Sequence, residues 1–224
     1  MANLALFDLD MTMLNVDSDH SWGQFLVERG LVDSEFYKSM NDKFYQDYIK
    51  GTLDAVEYNE FVASFLKTKT MSELVSYRND YLDIWIRPAM RPKAVERINF
   101  HKNQGDTVVV ISATNDFVVV PIASLFGVDN AHTLATRLEV VDNAYTGRVA
   151  DLPNFKDGKI FHLKNWIKAQ NDKGIHFDKL IAYSDSKNDL PLLSFADEAV
   201  CVCPDEILQS HATEQGWQVV DWRI

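Results

Sequence analysis

Apolar positions 4–7 (Leu4, Ala5, Leu6, Phe7) are unbroken, and the run stops at an acid, Asp8. A short apolar run bounded by polar residues predicts a buried strand. Comparable runs follow at 107–111, 179–183 and 199–202, the first of them β-branched throughout. Runs of that kind mark strands covered on both faces. Helical periodicity predicts helices over 94–102 and 116–126, stopped by Gly105 and Gly127, and over 158–170, where Lys159 stands at the opening. A short helix is expected through Leu190, Leu192 and Leu193, and a last one over 205–215 leads into Trp217-Gln218-Val219-Val220. Looser alternation over 134–149, centred on Asp142-Asn143, predicts a β-hairpin. Strand–helix alternation of this kind predicts an α/β fold, a parallel sheet with helices on both faces.

The texture differs between residues 14 and 86. Phe25, Phe36, Tyr37, Phe44, Tyr48, Tyr58, Phe61 and Phe65 recur at helical spacing, and Gly30, Gly51 and Thr52 punctuate them. Asp33-Ser34 and Thr52-Leu53-Asp54 have the composition of helix starts. The aromatic stripe reads as core packing rather than as a cofactor box. Pro88 and Pro92 mark the exit. The expected organisation is a catalytic core from residues 1–13 and 88–224, with residues 14–87 inserted as a helical cap after the first strand.

Composition narrows the functional classes. A chain of 224 residues with 46% hydrophobic content can build a real core, and its net charge of -11 makes nucleic acid and anionic membrane poor partners. No apolar run is long enough to cross a bilayer, and the apolar N-terminal stretch is too short for a signal peptide. Cys201 and Cys203 lie one residue apart, on one face if both belong to a strand, and read as packed thiols rather than a redox or metal pair. A reduced, cytoplasmic setting is expected.

Three predicted strands end in polar residues: Asp8, Asp10 and Thr12 after the first, Ser112 after the second, and Asp185, Asn188 and Asp189 after the third. A parallel sheet brings such ends to one edge. Two carboxylates on one strand end repel each other, and burial disfavours their ionisation, so a divalent cation with oxygen ligands is the simplest compensation. A carboxylate nucleophile, a second carboxylate, a hydroxyl, a fixed lysine and further acids fit phosphoryl transfer through an aspartyl-phosphate, with Mg²⁺ as the cofactor. Thr114 competes with Ser112 for phosphate contact, and Lys156 competes with Lys159, which opens the helical pattern.

Asp8-Leu9-Asp10-Met11-Thr12, Ile111-Ser112, Lys159 and Tyr183-Ser184-Asp185-Ser186-Lys187-Asn188-Asp189 resemble, in order, the four motifs of the haloacid dehalogenase superfamily. The helical insertion resembles the cap of its phosphoserine-phosphatase-like branch, and the motifs look closest to a bacterial group of phosphoserine or histidinol phosphate phosphatases. The resemblance covers essentially the whole chain and implies a Rossmann-like core. It implies that Asp8 attacks phosphorus and binds the metal. It makes Asp10 the acid for the leaving oxygen and then the base for water, with its backbone carbonyl on the metal. Thr12 would steady the turn, and Ser112, Lys159, Leu9 and Asp10 would bind phosphate. Asp185 would ligate Mg²⁺ with support from Asn188 and Asp189. Met11 stands where the wider superfamily usually has glycine.

The expected substrate is a small amino-bearing phosphorylated metabolite, of the histidinol phosphate or phosphoserine type. Asp17 and Asp19 are the candidates for pairing with its ammonium; the competing reading is that one of them caps a helix. A substrate carboxylate would call for a cation such as Arg78 or Arg87. The rival to an enzyme is a phosphorylatable signalling or scaffold protein that keeps the fold. Carbon–halogen cleavage is a weaker rival, because it would not need Asp10, Asp185 and Asp189 together.

Overall fold

The computed structural model describes residues 2–223. Strand β1 (Ala2–Phe7) lies at the centre of a six-stranded sheet with β2 (Thr107–Asn115), β3 (Thr133–Thr136), β6 (Phe177–Ser184), β7 (Glu198–Val202) and β8 (Gln218–Val220). The order is β3-β2-β1-β6-β7-β8 and every pairing is parallel. All carboxyl ends therefore share one edge, and the order reverses beside β1, where open α/β sheets form a crevice.

Alternation along β1 splits its side chains between two cores. Leu4 and Leu6 join Val109, Ile111, Ala182 and Leu163 on one face. Ala5 and Phe7 join Val108, Val110, Tyr183 and the aromatics of the 14–86 segment on the other. Burial on both sides is why the predicted strands read as continuous apolar runs.

The segment after β1 is helical: α1 (Ser18–Glu28), α2 (Ser34–Lys50), α3 (Ala55–Leu66) and α4 (Met71–Tyr81). Asp33 and Asp54 accept backbone N–H groups at the starts of α2 and α3, and Gly51 ends α2 with φ 76°. Trp22 is the hub of the packing and lies against Phe25, Phe65, Tyr81 and Phe117. Helices α5 (Pro92–Asn103), α6 (Asp116–Leu125), α7 (Asp157–Asn171), α8 (Leu190–Phe195) and α9 (Glu206–Gln215) complete the alternation.

Three local expectations need correction. The hairpin is formed by β4 (Leu138–Val141) and β5 (Ala144–Val149), turned by Asp142 and Asn143 at φ 49° and 60°. Leu134 is not part of it; it lies in β3, which pairs with β2 at the sheet edge. Residues 112–115 belong to β2 rather than to the loop after it. Cys201 is buried in β7, but Cys203 follows the strand with φ 47°, so the two do not share a strand face.

Beneath the carboxyl edge of the sheet, Phe7 and Tyr183 stack with centroids 4.4 Å apart. The buried ring of His101 hydrogen-bonds the Tyr183 hydroxyl through Nε2 and the Asp106 carboxylate through Nδ1, both at 2.8 Å. Burial works to raise the Asp106 carboxyl, but hydrogen bonds from His101 and the Asn3 amide outweigh it and hold it below the ordinary carboxylate range.

Candidate active site

The ladder of β1 ends when the Asp8 amide donates to the Tyr183 carbonyl at 2.9 Å. The chain then turns tightly, with the Met13 and Leu14 amides both donating to the Leu9 carbonyl. Met11 takes a left-handed φ of 56° and leaves its side chain 43% exposed. A non-glycine residue is disfavoured there by roughly 1–2 kcal/mol, and Met11 also lines the cavity described below. Arg91, 5% exposed, compensates: its guanidinium donates to the Leu14 and Met11 carbonyls at 3.1 and 3.2 Å.

This turn presents two differently held acids. Asp10 Oδ1 accepts the Ser18 amide at 2.7 Å, and its Oδ2 accepts the Thr114 hydroxyl at 2.9 Å. Asp8 Oδ1 accepts Lys159 Nζ at 2.7 Å. The same ammonium donates to Asp189 Oδ2 at 2.7 Å, which also accepts the Ser184 hydroxyl. The Thr12 hydroxyl lies 3.2 Å from Asp8 Oδ2 and 3.1 Å from Asp185 Oδ1, tying the ends of β1 and β6 together. Lys159 reaches this point because α7 starts against the preceding loop: a Cβ on Gly158 would lie 2.0 Å from the Pro153 carbonyl oxygen. Lys156 points elsewhere, donating to the Gly51 carbonyl at 2.8 Å.

Burial pushes the Asp8 carboxyl up, against the pull of Lys159 and with added repulsion from Asp189 and Asp10. Burial and the charge of Asp17 push Asp10 up to about 6, against hydrogen bonds from Ser18 and Thr114. Burial, then the charges of Asp8 and Asp189, raises Asp185 as well. Burial alone would lower the Lys159 ammonium, but Asp189 and Asp8 hold it above the ordinary lysine range.

The acids open into a cavity of about 850 Å³ between the sheet edge and the helices. Thr114 lines it; Ser112 is 1% exposed just beneath, its hydroxyl accepting the Thr114 amide. Asp17 caps α1 by accepting the His20 amide at 2.8 Å, the structural role weighed for it above. Asp19 is 3% exposed and accepts Asn115 Nδ2 at 2.9 Å. Asn188 is buried in the loop after β6, with its side chain beside the Tyr48 hydroxyl. The end of α2 is fastened to the loops that carry the charged groups. Lys156 and Lys187 donate to the Gly51 and Ile49 carbonyls, and Tyr48 Oη shares a hydrogen bond with Ser186 Oγ.

Two buried supports had no sequence signal. Arg91 follows a proline-rich exit, and nothing in its neighbours shows that it folds back on the turn. Asn154 is fully buried, with Nδ2 donating to the Ser112 and Leu134 carbonyls, and it stands in an unpatterned loop.

Known proteins resemble the chain along most or all of its length. The family model for haloacid dehalogenase-like hydrolases matches residues 5–194. A histidinol-phosphatase from Neisseria meningitidis is 39% identical over 224 residues, covering both chains in full. A phosphoserine phosphatase, SerB1, from Mycobacterium tuberculosis is 29% identical over 98% of this chain and 71% of its own. Among solved structures, a protein of unknown function from Bordetella pertussis superposes with a TM-score of 0.91 at 34% identity, covering both chains in full. A substrate-bound phosphoserine phosphatase shares the fold, with a TM-score of 0.66 at 22% identity over 94% of this chain and 90% of its own. The chain belongs to the haloacid dehalogenase-like hydrolase family and is one of its phosphatases. Among the described residues no helix is long and apolar enough to cross a membrane.

Proposed function

We propose that the chain is a Mg²⁺-dependent phosphomonoesterase that works through an aspartyl-phosphate on Asp8, and that its substrate is a small amino-bearing phosphate of the histidinol phosphate type. The observation that carries the mechanism is the position of Asp8, held by Lys159 on one oxygen and set beside Thr12 and Asp185 on the other. An Asp8 oxygen attacks phosphorus, the bond from phosphorus to the ester oxygen breaks, and Asp10 gives its proton to the departing alcohol. Asp10 then takes a proton from water, the water oxygen bonds to phosphorus, and the bond to Asp8 breaks to release inorganic phosphate. A carboxyl raised toward 6 is suited to both halves of that exchange near neutral pH. Lys159, Ser112 or Thr114, and the Leu9 and Asp10 amides hold the phosphoryl oxygens.

The donor chemistry fits magnesium. Among the described residues, Lys159 pairs with Asp8 and Asp189, while Asp10 and Asp185 line the same cavity without a cation of their own, a balance that would repel a phosphate without further positive charge. Among the described residues no group of three or more His, Cys, Asp or Glu side chains is arranged to enclose a metal. Magnesium does not need one, since it is commonly held by one or two carboxylates, waters and a substrate oxygen. Asp8 and Asp185 would be those carboxylates, with the Asp10 carbonyl beside them and Asn188 and Asp189 in support. Bound there, the ion supplies positive charge to the phosphoryl group in transfer.

In this reading residues 14–87 serve as a cap over a core of 1–13 and 88–224, and the cavity between them selects the substrate. Arg78 donates to the Phe117 carbonyl and Arg87 pairs with the exposed Asp83. Neither lines the cavity, whose lysines are Lys159 and Lys187. That inventory favours an amine without a carboxylate, in line with the histidinol-phosphatase likeness. Turnover of histidinol phosphate with Mg²⁺, its loss in excess chelator, and a phosphoenzyme trapped on Asp8 are the expected results. Full turnover in chelator, or a phosphoenzyme formed by Asp8→Asn, would overturn the mechanism.

A further inference from the structure

One side chain of α2 reaches out of its own helix into the loop after β6. Tyr48 Oη lies 3.1 Å from Ser186 Oγ, with the Asn188 side chain beside it. The phenol ring lies against Phe155, with centroids 6.4 Å apart.

Ser186 organises that loop. Its Oγ accepts the Asn188 amide at 3.2 Å and so caps the short 3₁₀ turn Lys187–Asp189. Its own amide donates to Ser184 Oγ at 3.3 Å, and that hydroxyl donates to Asp189 Oδ2 at 2.8 Å. Asp189 in turn holds Lys159, which holds Asp8. A continuous chain of hydrogen bonds therefore runs from α2 to the candidate nucleophile, through the loop that has Asp185 at its entrance. A serine hydroxyl has one proton and two lone pairs. The Asn188 amide takes one lone pair of Ser186, and Tyr48 engages what remains. Burial, then the charge of Asp185, raises the Tyr48 hydroxyl above the ordinary tyrosine range, with a smaller push from Asp8. The phenol is therefore neutral near pH 7 and stands close to the acids that would take the metal.

Two other ties fasten the same end of α2, from Lys156 and Lys187, and both end on backbone carbonyls. They hold the helix whatever its side chains are. Tyr48 acts on the loop through a hydroxyl that a substitution can remove.

We propose that Tyr48 is a positioning residue for the metal side of the site: its hydroxyl, through Ser186, fixes the loop that carries Asp185, so the magnesium site is completed by α2. The assignment rests on the phosphatase reading above, in which Asp185 is a ligand, and extends the metal site to a helix outside the sheet edge. Magnesium demands near-octahedral geometry, so a loop already held in place needs less rearrangement to receive it.

The test is calorimetric titration of Mg²⁺ into the whole protein, in wild type, Tyr48→Phe, Ser186→Ala and the double variant. Tyr48→Phe keeps the ring on Phe155 and removes only the hydroxyl. The Mg²⁺ dissociation constant should rise about 3- to 10-fold, the range of one neutral hydrogen bond, in a readout that needs no turnover. In a Ser186→Ala background the same substitution should add less than about twofold, because the two act along one path. With p-nitrophenyl phosphate, the Mg²⁺ concentration for half-maximal rate should rise in step, and excess Mg²⁺ should restore most of the lost turnover. An unchanged Mg²⁺ affinity in Tyr48→Phe, or the same loss from Tyr48→Phe with and without the Ser186 hydroxyl, would overturn the role of Tyr48 and leave the phosphatase reading standing. A wild type that takes up no Mg²⁺ and hydrolyses the ester in excess chelator would instead overturn the metal mechanism, and the assignment with it.

Discussion

The carboxylates at the sheet edge and two buried side chains of the helical wall facing it are held in different ways. At the edge, the carboxylates of Asp8, Asp10 and Asp189 are met by Lys159, Thr12, Ser18, Thr114 and Ser184. On the wall, Asp19 is met by the neutral side chains of Asn115 and Thr114, and Asn59 by the Ala55 carbonyl. A satisfied network holds its members in one geometry, which a reaction requires. Neutral partners leave a buried acid short of positive charge, which a cationic guest can bring. In the proposed reading, chemistry belongs to the strand ends and choice to the helical wall.

Substitutions can break each side separately. The largest effect is expected from Asp8→Asn, which removes the nucleophile and one charge beside Lys159. Turnover should vanish while circular dichroism and the melting transition persist; activity within tenfold of wild type would place the nucleophile elsewhere. Asp10→Asn should reduce turnover by about 10²–10⁴-fold. With p-nitrophenyl phosphate, whose leaving group needs no acid, a burst of nitrophenol should survive and the slow step become phosphoenzyme hydrolysis. A uniform loss with no burst would deny Asp10 its second role.

Support beneath the edge is expected to show in stability. Asp106→Asn weakens the bond to His101 and should destabilise by about 1–3 kcal/mol. The folded carboxyl lies below its unfolded value of about 4, so its contribution is full above that pH and is lost as pH falls through the folded value. The gap between wild type and variant in urea melts should therefore be wide at pH 7 and narrow toward pH 3. The smallest effect is assigned to Asp17→Ala, which loses the α1 cap at about 1 kcal/mol. It should lower Tm and affect charged and neutral substrates alike.

Much of this was legible because it follows periodicity. The runs at 4–7 and 107–111 mark the middle of the sheet through burial on both faces, and an acid ending an apolar run marks its functional edge. Asp33 and Asp54 mark helix starts through their side-chain chemistry. What was not legible depends on distant partners. Thr133–Thr136 is too short and half-buried to separate by pattern from the hairpin that follows, so alternation alone assigns Leu134 to the wrong sheet. Residues 112–115 look like a turn because they are small and mostly polar, yet β2 continues through them and Asn115 still pairs with Thr136 of β3 after a shift in register. Asn59 sits in an aromatic helix face, and only the fold shows that its amide turns one end to Ala55 and the other to the cavity.

Lys156 and Lys187 hold the Gly51 and Ile49 carbonyls at the end of α2: Lys156 stands just before α7, three residues ahead of Lys159, and Lys187 lies between Asp185 and Asp189. The doorway and the workbench thus share a frame. In the proposed reading of residues 14–87 as a cap, a displacement of α2 would be felt at both ends of the β1 turn's surroundings, because the same two lysines carry the strain.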